Sequence, residues 1–369
     1  MKKLLTLFSI LALLTGLFAG CSAPQNATPP PSQEGEPPRI VCTTFPQYDW
    51  VRQILGDEAD RAELTMLLNT GVDLHSYQPT ADDLVNISTC DLFVYVGGES
   101  DGWVTDALRN ATNPDMVVVN LIDVLGDSVK QEAHVEGMQP SEHSHEDEEH
   151  AHEDEHHEDE PHNEDHNHDH EGEHHEDEHD HTQDEEHTGH NHADEHVWLS
   201  LKNAQVLCRY LADTLSELDR ANADSYQANA SAYLAELDEL DRAYHAAVEQ
   251  ASLHTILFGD RFPFRYLADD YGLTYYAAFS GCSAETKASF ETIAFLSAKV
   301  DELGLPSVLT IEGTQHKIAQ TVVENTAQKS QTVLILDSMQ SVTAQHVADG
   351  ANYLAIMAHN LDVLKLALQ

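Results

Sequence analysis

The chain carries 25 histidines, and 17 of them lie between His143 and His192, interleaved with carboxylates. From Glu142 to Glu195 there are 25 Asp and Glu residues and no Lys or Arg. Neutral imidazole is a versatile ligand for borderline metal ions. The runs His156-His157, His166-Asn167-His168-Asp169-His170 and His190-Asn191-His192 place several within reach of one ion. A merely solvating acidic linker would use Glu, Ser and Gly and has no need of imidazole, so the tract reads as auxiliary metal capture. It should hold zinc, nickel or copper loosely at several places, and release them as the pH falls through about 6.5, when imidazoles charge. With almost no apolar residue it cannot offset the entropy of ordering, so it is expected to be a disordered loop inserted into a folded domain.

Outside the tract, two histidines are placed to do chemistry. His75 lies in the loop Gly71-Val72-Asp73-Leu74-His75-Ser76-Tyr77-Gln78-Pro79, directly after a strand-like apolar run. His196 stands where the tract returns to the apolar Val197-Trp198-Leu199. Both read as metal ligands in a cleft, against the competing reading of a histidine hydrogen-bonded in the core or on the surface. His245 and His359 sit on helical segments and read as such ordinary histidines. Cys42, Cys90, Cys208 and Cys282 show no CxxC spacing, which argues against a tetrathiolate zinc site and for small buried side chains or one disulfide.

The elements that must position these groups follow from composition and pattern. The 369 residues carry a formal charge of -47, so the basic face that a nucleic-acid binder needs is missing. The tract holds -25 of that charge, leaving a moderately acidic remainder of -22 over 315 residues. Lys2 and Lys3 precede an apolar run from Leu4 to Phe18 and then Ala19-Gly20-Cys21, an export signal followed by a cysteine. Small residues before that cysteine resemble the lipobox of bacterial lipoproteins, with residues 1–20 removed and Cys21 lipidated; an ordinary secretory signal with a chance cysteine is the alternative. Residues 21–38 read as a flexible tether.

Beyond the tether, apolar strand candidates alternate with helices. Arg39 to Thr44, Leu64 to Leu68, Asp91 to Val96 and Met116 to Asn120 form one strand set; Tyr48 to Leu55 and Thr80 to Ser88 read as helices. Leu201 to Ala251 is free of Gly and Pro and reads as two helices broken at 219–222. A second set follows, with strands His254 to Phe258, Leu273 to Ala278, Ser307 to Ile311 and Val333 to Leu336. Its helices are Phe264 to Tyr271, Phe290 to Leu303 and Ala351 to Ala367. Continuously apolar strands alternating with helices predict an α/β fold of two Rossmann-like lobes with parallel sheets. The expected boundaries are an N-terminal lobe at 39–222, with the insert 134–195, a long backbone helix at 223–252 and a C-terminal lobe at 253–369. Ligands are then expected in the cleft between the lobes, at the carboxyl ends of the strands.

Gly71 to Asp83, Asp194-Glu195-His196-Val197-Trp198-Leu199, Tyr226-Gln227-Ala228-Asn229, and Tyr266-Leu267-Ala268 before Tyr271-Gly272-Leu273 carry a family resemblance. In that order they resemble the zinc- and manganese-binding lipoproteins that feed ABC importers, with the His-rich loop typical of the zinc branch. The resemblance implies Zn2+ rather than Mn2+, held between the lobes with His75 and His196 as the first two ligands. It also implies a lipid-anchored, extracytoplasmic monomer without enzymatic activity, which delivers metal to a membrane permease driven by a cytoplasmic ATPase. At the family's third ligand position this chain has Arg261, which cannot bind a cation. The position of a fourth, acidic ligand falls at Ala351, with Asp349 close by. Asp260 is the first substitute and Glu312 the second, with Cys282 a softer donor. The alternatives are that Asp260 pairs with Arg261 or caps the next helix while an imidazole of the tract completes the set. Competing functions are a manganese receptor, a metal-storage or adhesion lipoprotein, and a zinc hydrolase; for the last, neither HExxH nor GxSxG is present.

Overall fold

The structure, a computed structural model, describes residues 37–139, 192–283, 287–313 and 315–369. The export signal, most of the tether, Cys21 and the tract histidines His156, His157, His166, His168, His170 and His190 lie outside the described residues. Strands β1 (Arg39–Cys42), β2 (Glu63–Met66), β3 (Leu92–Tyr95) and β4 (Val117–Asn120) form a sheet of order β2-β1-β3-β4. Strands β5 (Thr255–Phe262), β6 (Thr274–Ser280), β7 (Ser307–Thr310) and β8 (Thr332–Ile335) form a second, of order β6-β5-β7-β8. Every pairing within both sheets is parallel. The central strands are buried along nearly their whole length, as for Ile40, Val41 and Cys42, because helices cover both faces.

Helices α1 (Phe45–Leu55), α2 (Ala81–Thr89), α3 (Val104–Arg109) and α4 (Leu121–Leu125) accompany the first sheet. Thr80 caps α2 as its sequence suggests: its Oγ1 accepts from the Asp83 N–H, and Asp83 returns a carboxylate to the Thr80 N–H at 2.8 Å. Helices α5 (Leu201–Leu218) and α6 (Ala223–Glu249) follow, then α7 (Arg265–Tyr271), α8 (Phe290–Leu303), α9 (Lys317–Asn325), α10 (Ala344–Ala348) and α11 (Tyr353–Ala367). The 27 residues of α6 run about 40 Å at ~1.5 Å per residue. That length lets one helix serve both lobes. Asn229 near its start donates to the Ile54 carbonyl at 3.1 Å, and Tyr244 toward its end donates to the Met357 carbonyl at 2.7 Å.

Residues 38–369 cluster as one unit, although they carry two sheets. The reason is a shared core: Trp50 and Tyr353 meet edge to face at 5.2 Å, Tyr353 donates to the Trp198 carbonyl at 2.6 Å, and the Trp198 indole donates to the Ser338 carbonyl at 2.9 Å. A smaller cluster of Leu257, Phe279, Leu296 and Val308 fills the space under α8.

The strand β5 departs most from the sequence reading. It continues past Gly259 to Phe262, with its register against β6 shifting between Phe258 and Arg261. Phe262 explains the extension, because its buried ring stacks on Tyr275 with centroids 3.8 Å apart and pulls the polar Gly259-Asp260-Arg261 step into the sheet. Helices α3, α4, α9 and α10 are absent from the sequence reading; three of them span six residues or fewer, too short to show a helical repeat.

Candidate metal centre

His75 and His196 are placed by the same local device. In each, an Asp two residues earlier accepts from the histidine's own backbone N–H: Asp73 Oδ1 from His75 and Asp194 Oδ1 from His196, both at 2.9 Å. A single 3-10 turn contains His75 (Leu74–Ser76) or directly follows His196 (Val197–Leu199), and buried Leu74, Val197, Trp198 and Leu199 pin the turns to the core. Such an Asx cap fixes the backbone and therefore the direction of the imidazole.

Each ring turns one nitrogen back to the protein and the other forward. Asp194 Oδ1 lies 2.8 Å from His196 Nδ1. His75 Nδ1 lies 2.8 Å from Ser100 Oγ and 3.5 Å from Glu195 Oε2, while Glu195 Oε1 accepts from the Ser100 N–H at 2.8 Å. A proton held on Nδ1 leaves Nε2 as a lone pair, which is how carboxylates behind metal-binding imidazoles fix the tautomer. The two Nε2 atoms face one another at 3.2 Å. Two nitrogens on one tetrahedral zinc, each about 2.05 Å from the ion, are about 3.3 Å apart, so the pair is already at ligand spacing.

The electrostatics favour neutral ligands. Burial, reinforced by His196 and Arg261, pulls His75 down to about 3, so its ring is unprotonated at neutral pH. Burial raises the Asp73 carboxyl, but Arg261 and then His75 outweigh it and hold Asp73 below the usual carboxylate range. Burial lifts Glu195 above that range. Asp101, whose Oδ2 accepts from the Gly97 N–H at 2.9 Å, is pushed up to about 7 by burial and by the charge of Glu195.

Among the described residues, one group of three metal-ligating side chains gathers its ligand atoms within 4.8 Å of one another: His75, His196 and Cys282. Cys282 follows β6, and its backbone N–H donates to Glu132 Oε1 at 2.9 Å. Burial, helped by the charges of Asp194, Glu132 and Glu195, raises the Cys282 thiol strongly and keeps it protonated in the absence of a cation. Two glycines make the approach possible. A Cβ on Gly281 would stand 3.2 Å from His196 Cε1 and 2.8 Å from the Phe262 carbonyl, and one on Gly98 would stand 2.4 Å from Glu195 Oε1.

The structure brings His75 and His196 together and does not bring Asp260 or Glu312 into their group. Asp260 accepts from the Thr310 hydroxyl at 2.7 Å and from the Arg261 N–H at 2.9 Å, because β5 continues through it and commits its side chain to the neighbouring strand. Glu312 accepts from the backbone and hydroxyls of Ser338 and Ser341 and from the Gln340 N–H, and so holds the 338–341 turn. Both carboxylates border a cavity of about 550 Å³ whose walls include Asp73, Arg261, His316 and Lys317. Arg261 forms an ion pair with Asp73.

The neck of the tract is ordered. Gln131 and Ala193 pair antiparallel, the Glu132 N–H donates to the His192 carbonyl and the Asp194 N–H to the Lys130 carbonyl, both at 2.8 Å. Tyr266 clamps the same neck, accepting from the Lys130 N–H at 3.0 Å and donating to the Asp194 carbonyl at 2.8 Å. His192 projects at the surface, 3.4 Å from Glu99, so the tract opens four residues from His196. The sequence reading missed Asp194, Glu195 and Ser100 as supports. The repeated Asp-x-His at 73–75 and 194–196 was the available signal.

A sequence model of the family described as ZnuA, zinc-uptake complex component A, periplasmic, matches residues 40–367. The chain is 27% identical over 332 residues to the zinc-binding protein AdcA of Streptococcus pyogenes, covering 89% of this chain and 55% of that one. It is 29% identical over 326 residues to the zinc-binding lipoprotein AdcA of Streptococcus pneumoniae, covering 88% and 55%. It thus spans about half the length of those relatives. To the high-affinity zinc uptake system protein ZnuA of Bacillus subtilis it is 27% identical over 367 residues, covering 100% of this chain and 98% of that one. In fold it is similar to the Zn(II)-bound ZnuA-like domain of Streptococcus pneumoniae AdcA, with a TM-score of 0.61 at 23% identity over 90% of this chain and 99% of that one. The metal-dependent lipoprotein YcdH of Bacillus subtilis gives 0.63 at 23% identity over 89% and 98%. The match of the family model to nearly all of residues 38–369, on the two-sheet fold described above, means that the chain belongs to the periplasmic zinc-uptake component A family.

Proposed function

We propose that this chain is an extracytoplasmic zinc receptor, anchored to the membrane through a lipid on Cys21, that captures Zn2+ and hands it to an ABC permease driven by a cytoplasmic ATPase. The observation that carries the reading is the pair of Nε2 lone pairs at 3.2 Å, each ring backed by an acid or hydroxyl on its other nitrogen. Such a pair binds a divalent cation without rearranging, and zinc suits imidazole better than manganese does. The zinc-binding names of AdcA and the zinc-uptake name of the Bacillus subtilis relative support the same cargo.

In this reading the lobes at 39–222 and 253–369 act as two jaws on the helix at 223–252, and the protein works as a monomer. The tract collects ions at its many imidazoles, and its neck delivers them beside His196. The carboxylates nearest the imidazoles serve to hold the ligands: Glu195 Oε1 accepts from the Ser100 N–H and Asp194 Oδ1 from the His196 N–H. Capture, not catalysis, is the chemistry they support.

Isothermal titration with zinc tests the reading. The full chain should show one tight site and several weak ones. The tight site should vanish in His75→Ala, and the weak ones should vanish when residues 142–190 are deleted. A tight site that survives His75→Ala would remove the cleft from the function.

A further inference from the structure

His75 and His196 give the cleft two imidazole ligands, and Arg261, where the family resemblance places a third, is committed to Asp73. Tight four-coordinate zinc binding uses at least three protein ligands. Resting on the receptor reading of the cleft, we propose that Cys282 supplies the third ligand as a thiolate, and that this His-His-Cys set tunes the receptor toward zinc and away from manganese.

Four observations converge on Cys282. Its sulfur shares a 4.8 Å cluster with the ligand nitrogens of His75 and His196, and no other described side chain completes such a group with them. Its backbone is held in place by the bond from its N–H to Glu132, and it follows Gly281, where a Cβ would stand 3.2 Å from His196 Cε1. The rival donors Asp260 and Glu312 lie outside that cluster and are engaged by protein hydrogen bonds. The Arg261 charge is offset by Asp73 in direct contact, so it does not oppose a cation at full strength.

On a tetrahedral zinc, a sulfur at about 2.3 Å and a nitrogen at about 2.05 Å stand about 3.6 Å apart, so a shift of the side chain of about an ångström closes the set. As the metal–sulfur bond forms, a sulfur lone pair is donated to the ion and the S–H proton leaves to solvent; nothing is oxidised or reduced. Three protein ligands leave a fourth position open, which a cargo ion needs if it is to be released. A thiolate suits zinc and disfavours manganese, which prefers oxygen donors.

The test uses one equivalent of cobalt(II) as a spectroscopic probe on the full chain, as wild type, Cys282→Ser and His75→Ala, each checked for folding by circular dichroism. The tract contains no cysteine, so a near-ultraviolet sulfur-to-cobalt charge-transfer band cannot arise there, and its loss in Cys282→Ser assigns it to that thiolate rather than to Cys42, Cys90 or Cys208. The expected result is that band in the wild type and its loss in Cys282→Ser. Zinc affinity in Cys282→Ser should fall by more than the roughly 10–100-fold typical of losing an outer-shell partner, and the ratio of zinc to manganese affinity should narrow. Absence of the band in the wild type, with tight binding still lost in His75→Ala, overturns the thiolate ligand and leaves the receptor reading intact. Tight binding that persists in His75→Ala overturns both.

Discussion

Asp194 Oδ1 accepts from the backbone N–H of His196 at 2.9 Å and lies 2.8 Å from the Nδ1 of the same residue. One oxygen thus fixes where the His196 backbone turns, where its ring points and which nitrogen carries the proton. An Asn at this position keeps the shape but presents a weaker acceptor, or a donor amide. Asp194→Asn should weaken zinc binding about 10–100-fold while the protein stays folded, as measured by competition with a chelating dye. Unchanged affinity would show that the backing carboxylate does not set the ligand.

The metal-free protein should show two opposed pH dependences. His75 titrates near 3 in the fold and about 6.5 in the unfolded chain, so within that window the unfolded chain holds a proton that the native protein does not. Its effect is to reduce stability as the pH falls from about 6.5 toward 3. Asp101 runs the other way: its carboxyl is raised from 3.8 to about 7, so its contribution is full below the unfolded value and is lost as the pH rises through about 7. Urea unfolding in the presence of a chelator should therefore lose up to about one proton of pH dependence between pH 6 and 4 in His75→Gln. Asp101→Asn should flatten the slope between about pH 4 and 7. Slopes that match the wild type in both variants would contradict the account.

The ion pair of Arg261 with Asp73 joins the two lobes, with side chains only 18% and 21% exposed. A double-mutant cycle of Arg261→Ala and Asp73→Ala, read from urea midpoints of the metal-free protein, should give a coupling of about 1–2 kcal/mol, above the ~0.2–1 kcal/mol of exposed pairs. Additive losses would mean that the pair does not fasten the cleft.

Gly281→Ala should be damaging although the change is one methyl. The new Cβ meets the Phe262 carbonyl at 2.8 Å and the His196 ring at 3.2 Å, and the carbonyl cannot swing aside. The expected cost is about 1–3 kcal/mol of stability, with a weaker tight zinc site in the same variant. Wild-type melting and affinity would show that the loop after β6 has room.

Much of this was legible in the residues. Continuously apolar strands such as Leu92–Tyr95, the Thr80 cap and the helix-forming run to Glu249 act locally, so pattern alone places them. The meeting of His75 and His196 was legible from the family motifs that carry them, which lie 121 residues apart in the chain. The approach of Cys282, in place of Asp260, to that pair was not, because it depends on long-range facts. Phe262 stacks on Tyr275 and draws β5 on through Asp260, and Gly281 lets the loop after β6 press against His196. Neither contact has a signature at short range in the chain. The role of Tyr266 as a clamp on the tract's neck, 136 residues away from Lys130, is of the same kind.

The central claim is that one zinc ion binds between His75 and His196. Anomalous diffraction at the zinc edge, from crystals of the full chain grown with one equivalent of zinc, tests it most directly. The account predicts a single strong peak about 2.0–2.1 Å from both Nε2 atoms. A principal peak on Asp260, Glu312 or the tract, with the two imidazoles free, would contradict it.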